Sequence, residues 1–334
     1  MSIFSLTKIL ETTAEYKRLI TAAARQSSKV SIQMIDEAVP FLITKLWSDL
    51  ETPILILCPT PELSERLEER IAGWTEGQIT PLRFVETEAL PFERITTDTD
   101  TSRSRLEVLN QLNVTSNLPH ILITSVTALA QTTIDLKSFQ NTRQTLRVND
   151  IASIDHMMGK WSQFGYTFVP NVYMPGTASR RGGILDIYPS GSGAPCRIEF
   201  DDNQICSLRR FNPSTQRSQE QIESIEIMPA IETLPTVVDK SKVEKILAGL
   251  DLSNCSVSKS ESFRRDMELL LEGHYGENID LYSGFFNHGN LLDYFPKNGL
   301  IIKYRPSDLN ASAWDTEERI TELRSTKEQR GDIP

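Results

Sequence analysis

Hydrophobic and polar positions follow two different periods over the first 131 residues. At 29–34 the apolar residues Val30, Ile32 and Met34 recur at every second place, which predicts a strand. A helix is predicted for 37–50, and the unbroken apolar run at 54–58 predicts a buried strand. The helix predicted for 61–74 is signalled most fully: Thr60 stands at the cap, Pro61 suits the first helical position, and Leu63, Leu67, Ile71 and Trp74 repeat at helical spacing as core residues. Strands are expected at 81–85 and 120–124 with a helix at 102–112 between them, and the Thr- and Asp-rich stretch 93–101 reads as a surface loop. Helices alternating with strands predict an α/β domain, a parallel sheet covered by helices, over 1–131.

The pattern changes after about Thr132. Strands are predicted at 144–148, 182–188, 196–200 and 205–211, a helix at 151–164, and a turn at 189–195, where the sequence reads P-S-G-S-G-A-P. This predicts a mainly antiparallel α+β domain over 132–229. Helical patterns return at 240–247 and 264–271, followed by an apolar strand at 299–302, so 230–313 forms a third segment. The final run, 314–334, is charged and helix-prone and reads as a linker.

Composition narrows the function classes. Of the 334 residues 39% are hydrophobic and 24% charged, ordinary globular usage spread over about two domains. No apolar run approaches a membrane span, and Met1-Ser2-Ile3-Phe4-Ser5 lacks the layout of a signal peptide, so a cytoplasmic location without membrane partners is expected. The net charge of −10 opposes general capture of a polyanion. Cys58, Cys196, Cys206 and Cys255 form no C-x-x-C pair and each lies in or near an apolar run, which predicts buried free thiols and no metal site. The scattered His120, His156, His274 and His288 predict structural or surface roles.

A sheet that opens on a strand and a helix invites comparison with a phosphate loop. The segment Ser31-Ile32-Gln33-Met34-Ile35-Asp36-Glu37-Ala38 has neither the glycines nor the lysine, and the one Gly-Lys pair, Gly159-Lys160, sits inside a helical pattern. Asp36 and Glu37 read as acids at a helix start. No nucleophile-elbow, zinc-protease or paired-carboxylate motif is present. Neither a catalytic residue nor a cofactor site is therefore expected in this chain.

The most informative stretch is R-G-G-I-L-D-I-Y-P at 181–189, followed by R-I-E-F at 197–200 and S-L-R-R-F-N-P-S-T-Q-R at 207–217. In a period-two strand Cys196, Ile198 and Phe200 face the core while Arg197, Glu199 and Asp201 face outward. Arg180, Arg181, Arg197, Arg209 and Arg210 concentrate guanidinium groups in an acidic chain, as a recognition surface for acidic partner groups would, although solvated strand residues give the same pattern.

This pattern resembles the UvrA-binding domain shared by the excision-repair protein UvrB and the bacterial transcription-repair coupling factors. The segments Ala89-Leu-Pro-Phe-Glu93, Ser104-Arg-Leu-Glu-Val-Leu109, Thr124-Ser-Val-Thr-Ala-Leu-Ala-Gln131, Gly165-Tyr166 and Leu291-Leu-Asp-Tyr-Phe-Pro296 resemble the coupling factors, and only a short polar loop stands where UvrB carries a damage-probing hairpin.

The resemblance implies a UvrB-like module of a longer protein: a degenerate helicase-like (P-loop NTPase-like) parallel-sheet domain interrupted by the inserted UvrA-binding domain. Tyr304-Arg305 stands where the magnesium acids would be. ATP and magnesium, RNA polymerase and DNA are implied for the rest of the longer protein, and UvrA recruitment with autoinhibition for this part. Matched position by position, Arg181 and Arg197 are implied to contact UvrA, and Asp201 stands where the family has Phe. Replacing either arginine by Ala is expected to cost roughly 1 to 4 kcal/mol of binding with the fold intact. The alternatives are an ATP-dependent translocase or helicase, and a UvrB-like damaged-DNA-binding module.

Overall fold

The computed structural model describes residues 4–25, 29–93, 95, 97–114, 120–276 and 279–333. The expectation about a leader bears partly on residues 1–3, which lie outside these, as do 94 and 96 of the loop expected at 93–101. The chain divides into two compact units, Met1–Glu86 with Val114–Gln131 and Leu291–Glu318, and Thr87–Asn113 with Thr132–Asn290 and Arg319–Pro334.

The first unit contributes β1 (Ile54–Cys58), β2 (Leu82–Phe84) and β3 (Ile121–Ser125). The second contributes β4 (Gln144–Arg147), β5 (Thr167–Phe168), β6 (Thr177–Arg181), β7 (Ile184–Tyr188), β8 (Cys196–Asp201), β9 (Gln204–Phe211), β10 (Ser218–Gln221) and β11 (Ser224–Ile227). The chain returns to the first unit for β12 (Leu300–Lys303).

In the first unit all pairings are parallel, in the order β12-β1-β3-β2, with Ile54 opposite both Leu300 and Ile121. Central strands of a parallel sheet bury both faces, which is why β1 is an unbroken apolar run and β3 opens with one, Ile121-Leu122-Ile123. Ile54, Ile56 and Cys58 pack in one cluster with Ile43 and Leu46 of the helix Val39–Leu50 and Leu67 and Ile71 of the helix Pro61–Thr75. Each such side chain stabilises the fold by about 1.5–3 kcal/mol. The second helix starts where the cap predicts: the Thr60 hydroxyl accepts from the Leu63 N–H at 3.4 Å.

One predicted strand is absent. Residues 29–34 are exposed, form no regular element and join no sheet. Alternation shows that a segment suits a pleated surface, but a strand forms only where a neighbour is free to pair. The helix expected at 102–112 runs over Thr99–Val114, so it takes in the end of the predicted loop.

In the second unit six strands form a sheet of order β10-β9-β8-β7-β6-β5, antiparallel except for the β5–β6 pair, while β4 and β11 pair separately. One face carries Ala178, Leu185, Ile187, Cys196, Ile198, Ile205 and Leu208 against Met157 and Trp161 of the helix Ile154–Gln163. Gly165, with φ +85°, ends that segment; a Cβ there would lie 2.5 Å from Ile231 Cγ1. The next residue, Tyr166, is buried and donates its hydroxyl to the Met228 carbonyl at 2.7 Å. Val243, Met267, Leu270, Tyr282 and Phe286 make a separate small core around the helices Lys240–Ala248 and Val257–Leu271.

The cysteines depart from expectation. Cys58 and Cys196 are buried, but Cys206 is exposed and Cys255 partly so. Cys206 is the extra residue where the β8–β9 register shifts, between Ile205 opposite Phe200 and Ser207 opposite Glu199. Among the described residues no helix is long and apolar enough to cross a membrane, and no group of three His, Cys, Asp or Glu side chains is placed to hold a metal ion.

Candidate partner-binding face

The six-stranded sheet turns one face to its helix, and three of the five arginines lie on the other. Directly paired residues of antiparallel strands point to the same side, and side chains alternate along each strand. Ser179, Asp186, Arg197 and Arg209 form one cross-strand row, and Arg181, Ile184, Glu199 and Ser207 the next. Both rows lie opposite the helix. Asp201, opposite Gln204, follows in a third row at the exposed tip of the β8–β9 hairpin.

Register therefore sorts the five arginines. Arg181, Arg197 and Arg209 share the open face, whereas Arg180 pairs with Leu185 and Arg210 with Cys196, on the helix side. Arg180 accordingly reaches Asp155 of the helix, and Arg210 donates to the Ser192 hydroxyl and the Ala194 carbonyl. A single surface of five guanidiniums does not exist.

The two arginines matched to UvrA contact stand in different surroundings. Arg197 grips Asp186 with two prongs, Nε to Oδ1 at 2.8 Å and Nη2 to Oδ2 at 2.9 Å, and stacks over the Phe211 ring at 5.0 Å. Its side chain is 17% exposed and that of Asp186 only 2%. This hydrogen-bonded carboxylate holds the guanidinium pKa above its ordinary value. Arg197→Ala, expected above to leave the fold intact, would strand a buried carboxylate.

Arg181 is exposed. The pair Gly182-Gly183 turns β6 into β7, with Gly182 at φ +62°, and sets Arg181 opposite Ile184. The Arg181 guanidinium donates to the Pro170 carbonyl at 3.2 Å and also to the Asn171 side chain. Both acceptors belong to a strap, residues 169–176, that links β5 to β6.

The strap also reaches the surroundings of Arg197. The N-P-S-T-Q-R stretch is a turn in which the Asn212 side-chain oxygen accepts from the Ser214 and Thr215 N–H groups, each at 2.9 Å. That turn presents Gln216, whose side-chain amide donates to the Val172 carbonyl at 3.0 Å while its main-chain carbonyl accepts from Arg197 at 3.5 Å. Sequence reading missed Asp186, Gln216 and the strap. Asp186 lay within the recognised motif, but only the β7–β8 register pairs it with Arg197.

In the first unit, Asp36 stands at the start of the turn leading into the helix Val39–Leu50, and Arg305 follows β12. Their side chains form an ion pair that holds the Asp36 carboxyl below the usual range. Arg305 also lies over the Tyr304 ring at 5.5 Å. The two stretches expected to have lost the phosphate loop and the magnesium acids thus meet each other.

Comparison with known proteins bears on the second unit most directly. Residues 145–232 match the UvrB interaction domain family model, a span that contains the whole six-stranded sheet. A transcription-repair-coupling factor of Bacillus subtilis (strain 168) is 30% identical over 267 residues, 77% of this chain and 22% of that protein. Those of Escherichia coli (strain K12) and Myxococcus xanthus are 28% and 27% identical, over 78% and 74% of this chain and 22% and 21% of theirs. The chain spans about a fifth of the length of these relatives. It therefore carries a UvrB interaction domain at residues 145–232 and is, over 77% of its length, a homologue of the transcription-repair-coupling factors.

Proposed function

We propose that this chain is the UvrA-recruiting module of a transcription-repair coupling factor, acting by protein–protein contact and not by catalysis. The observation that carries the reading is the match of residues 145–232 to the UvrB interaction domain, over the sheet whose open face presents Arg181. UvrA is the partner, and Arg181, Arg197 and Asp201 lie on the contact face. Arg181 engages it directly, while Arg197 acts partly through the Asp186 carboxylate it holds.

On this reading the parallel-sheet unit descends from a helicase-like nucleotide-binding domain that has lost its site. Two features support that: residues 31–38 contain no glycine or lysine, and Asp36 is engaged by Arg305. ATP, magnesium, DNA and RNA polymerase are handled by other parts of the coupling factor, which also restrain this module until polymerase has stalled. The module works in the cytoplasm.

Co-migration of the purified chain with UvrA in size-exclusion chromatography tests recruitment; separate elution at micromolar concentrations contradicts it. A thermal melt with millimolar ATP and magnesium tests the enzyme alternative. A ligand that binds only the folded state raises its stability, so no change in Tm is expected here and a clear rise favours the translocase reading.

A further inference from the structure

We propose that Tyr173 and Met174 are the apolar anchors of this face, fitting a depression on UvrA that is apolar at its floor and carries carboxylates on its rim for Arg181. The proposal rests on the UvrA reading and adds to it the residues that seat the partner.

Tyr173 and Met174 are 56% and 62% exposed and adjacent in sequence. Single exposed apolar residues are unremarkable on a protein surface, but neighbouring large ones beside cationic groups have the composition of an interface centre, in which Tyr, Met and Arg are enriched.

The backbone that presents the pair is held on both sides. Before it, Val172 is fully buried and its carbonyl accepts from Gln216 at 3.0 Å, while the Pro170 carbonyl accepts from the Ser179 hydroxyl at 3.1 Å. After it, the Met174 carbonyl accepts from the Thr177 hydroxyl at 2.6 Å, and the Gly176 N–H donates to Tyr188 at 2.8 Å. Little backbone freedom is left to lose on binding, which favours affinity. Pro170 and Asn171, the acceptors for Arg181, are three and two residues before Tyr173, so the anchors and the groups that hold the cation share one segment.

Val257 supplies an internal control. It is 74% exposed at the start of the helix Val257–Leu271, outside the six-stranded sheet.

The test is surface plasmon resonance of immobilised UvrA with four forms of the chain: wild type, Tyr173→Ser with Met174→Ser, Tyr173→Phe with Met174→Leu, and Val257→Ser, each checked by thermal melting. The expected result is a dissociation constant raised at least tenfold by the serine pair, restored to within twofold by the Phe and Leu pair, and unmoved by Val257→Ser. Binding by wild type with the serine pair within twofold of it overturns the anchors and leaves the UvrA reading standing. A loss as large for Val257→Ser overturns the strap as the distinctive site. No binding by wild type overturns the UvrA reading and the anchors with it.

Discussion

Arg197 and Asp186 face each other across β7 and β8 with two hydrogen bonds between guanidinium and carboxylate, and Asp186 has almost no contact with solvent. Removing one partner of such a pair leaves the other charge desolvated, so Arg197→Ala should destabilise the chain by about 2–4 kcal/mol. Arg181, exposed on the neighbouring row, should cost within about 0.5 kcal/mol on the same substitution. Urea unfolding of both variants checks the contrast. Equal stability would mean that the pair contributes nothing.

A second buried pair belongs to the S-R-L-E-V-L segment. Arg105, 1% exposed, donates to Glu232 through Nε at 2.7 Å and Nη2 at 2.9 Å. Arg105→Ala should cost about 3–5 kcal/mol, whereas Arg105→Met combined with Glu232→Leu should recover most of the loss, because an apolar pair of similar volume needs no desolvated charge balanced. Thermal melts of the single and double variants measure the difference. A double variant as unstable as the single one would show that other contacts of Arg105 dominate.

The thiols should separate by reactivity. Burial pushes Cys58 and Cys196 up to about 12, so at pH 8 both stay protonated as well as shielded. Cys206 lies exposed on β9, and Cys255 is partly exposed with its thiol raised mainly by burial. Titration of the native chain with a chromogenic disulfide at pH 8 should show Cys206 reacting first and Cys255 more slowly, with Cys58 and Cys196 reacting only after denaturant is added. Four thiols reacting at one rate in the native chain would contradict this.

Local signals were legible where the structure is locally determined. The run at 54–58 and the Thr60-Pro61 helix start came directly from apolar spacing and capping chemistry, and both elements sit where they were expected. Residues 29–34 carried an equally clear alternation but found no partner strand, because pairing depends on residues distant in sequence. β6 was missed for the converse reason: Thr177–Arg181 has little apolar pattern and becomes a strand through its pairing with β7. At the candidate face, Arg181 and Arg197 were visible through motif resemblance. That they differ in burial, and that Arg180 and Arg210 turn away, follows only from register. The strap was invisible because it has no period at all and is held by side chains from β6 and from the Asn212 turn.

Recruitment as proposed depends on UvrA binding through Arg181 on the six-stranded sheet. Calorimetric titration of UvrA with the wild-type chain and with Arg181→Ala, at matched salt, measures that dependence. Saturable binding by wild type is expected, with an affinity at least tenfold weaker for Arg181→Ala, equivalent to about 1.4 kcal/mol or more, and an unchanged melting temperature. Binding of equal affinity by both proteins would contradict the assignment of the site, and no binding by wild type would contradict recruitment itself.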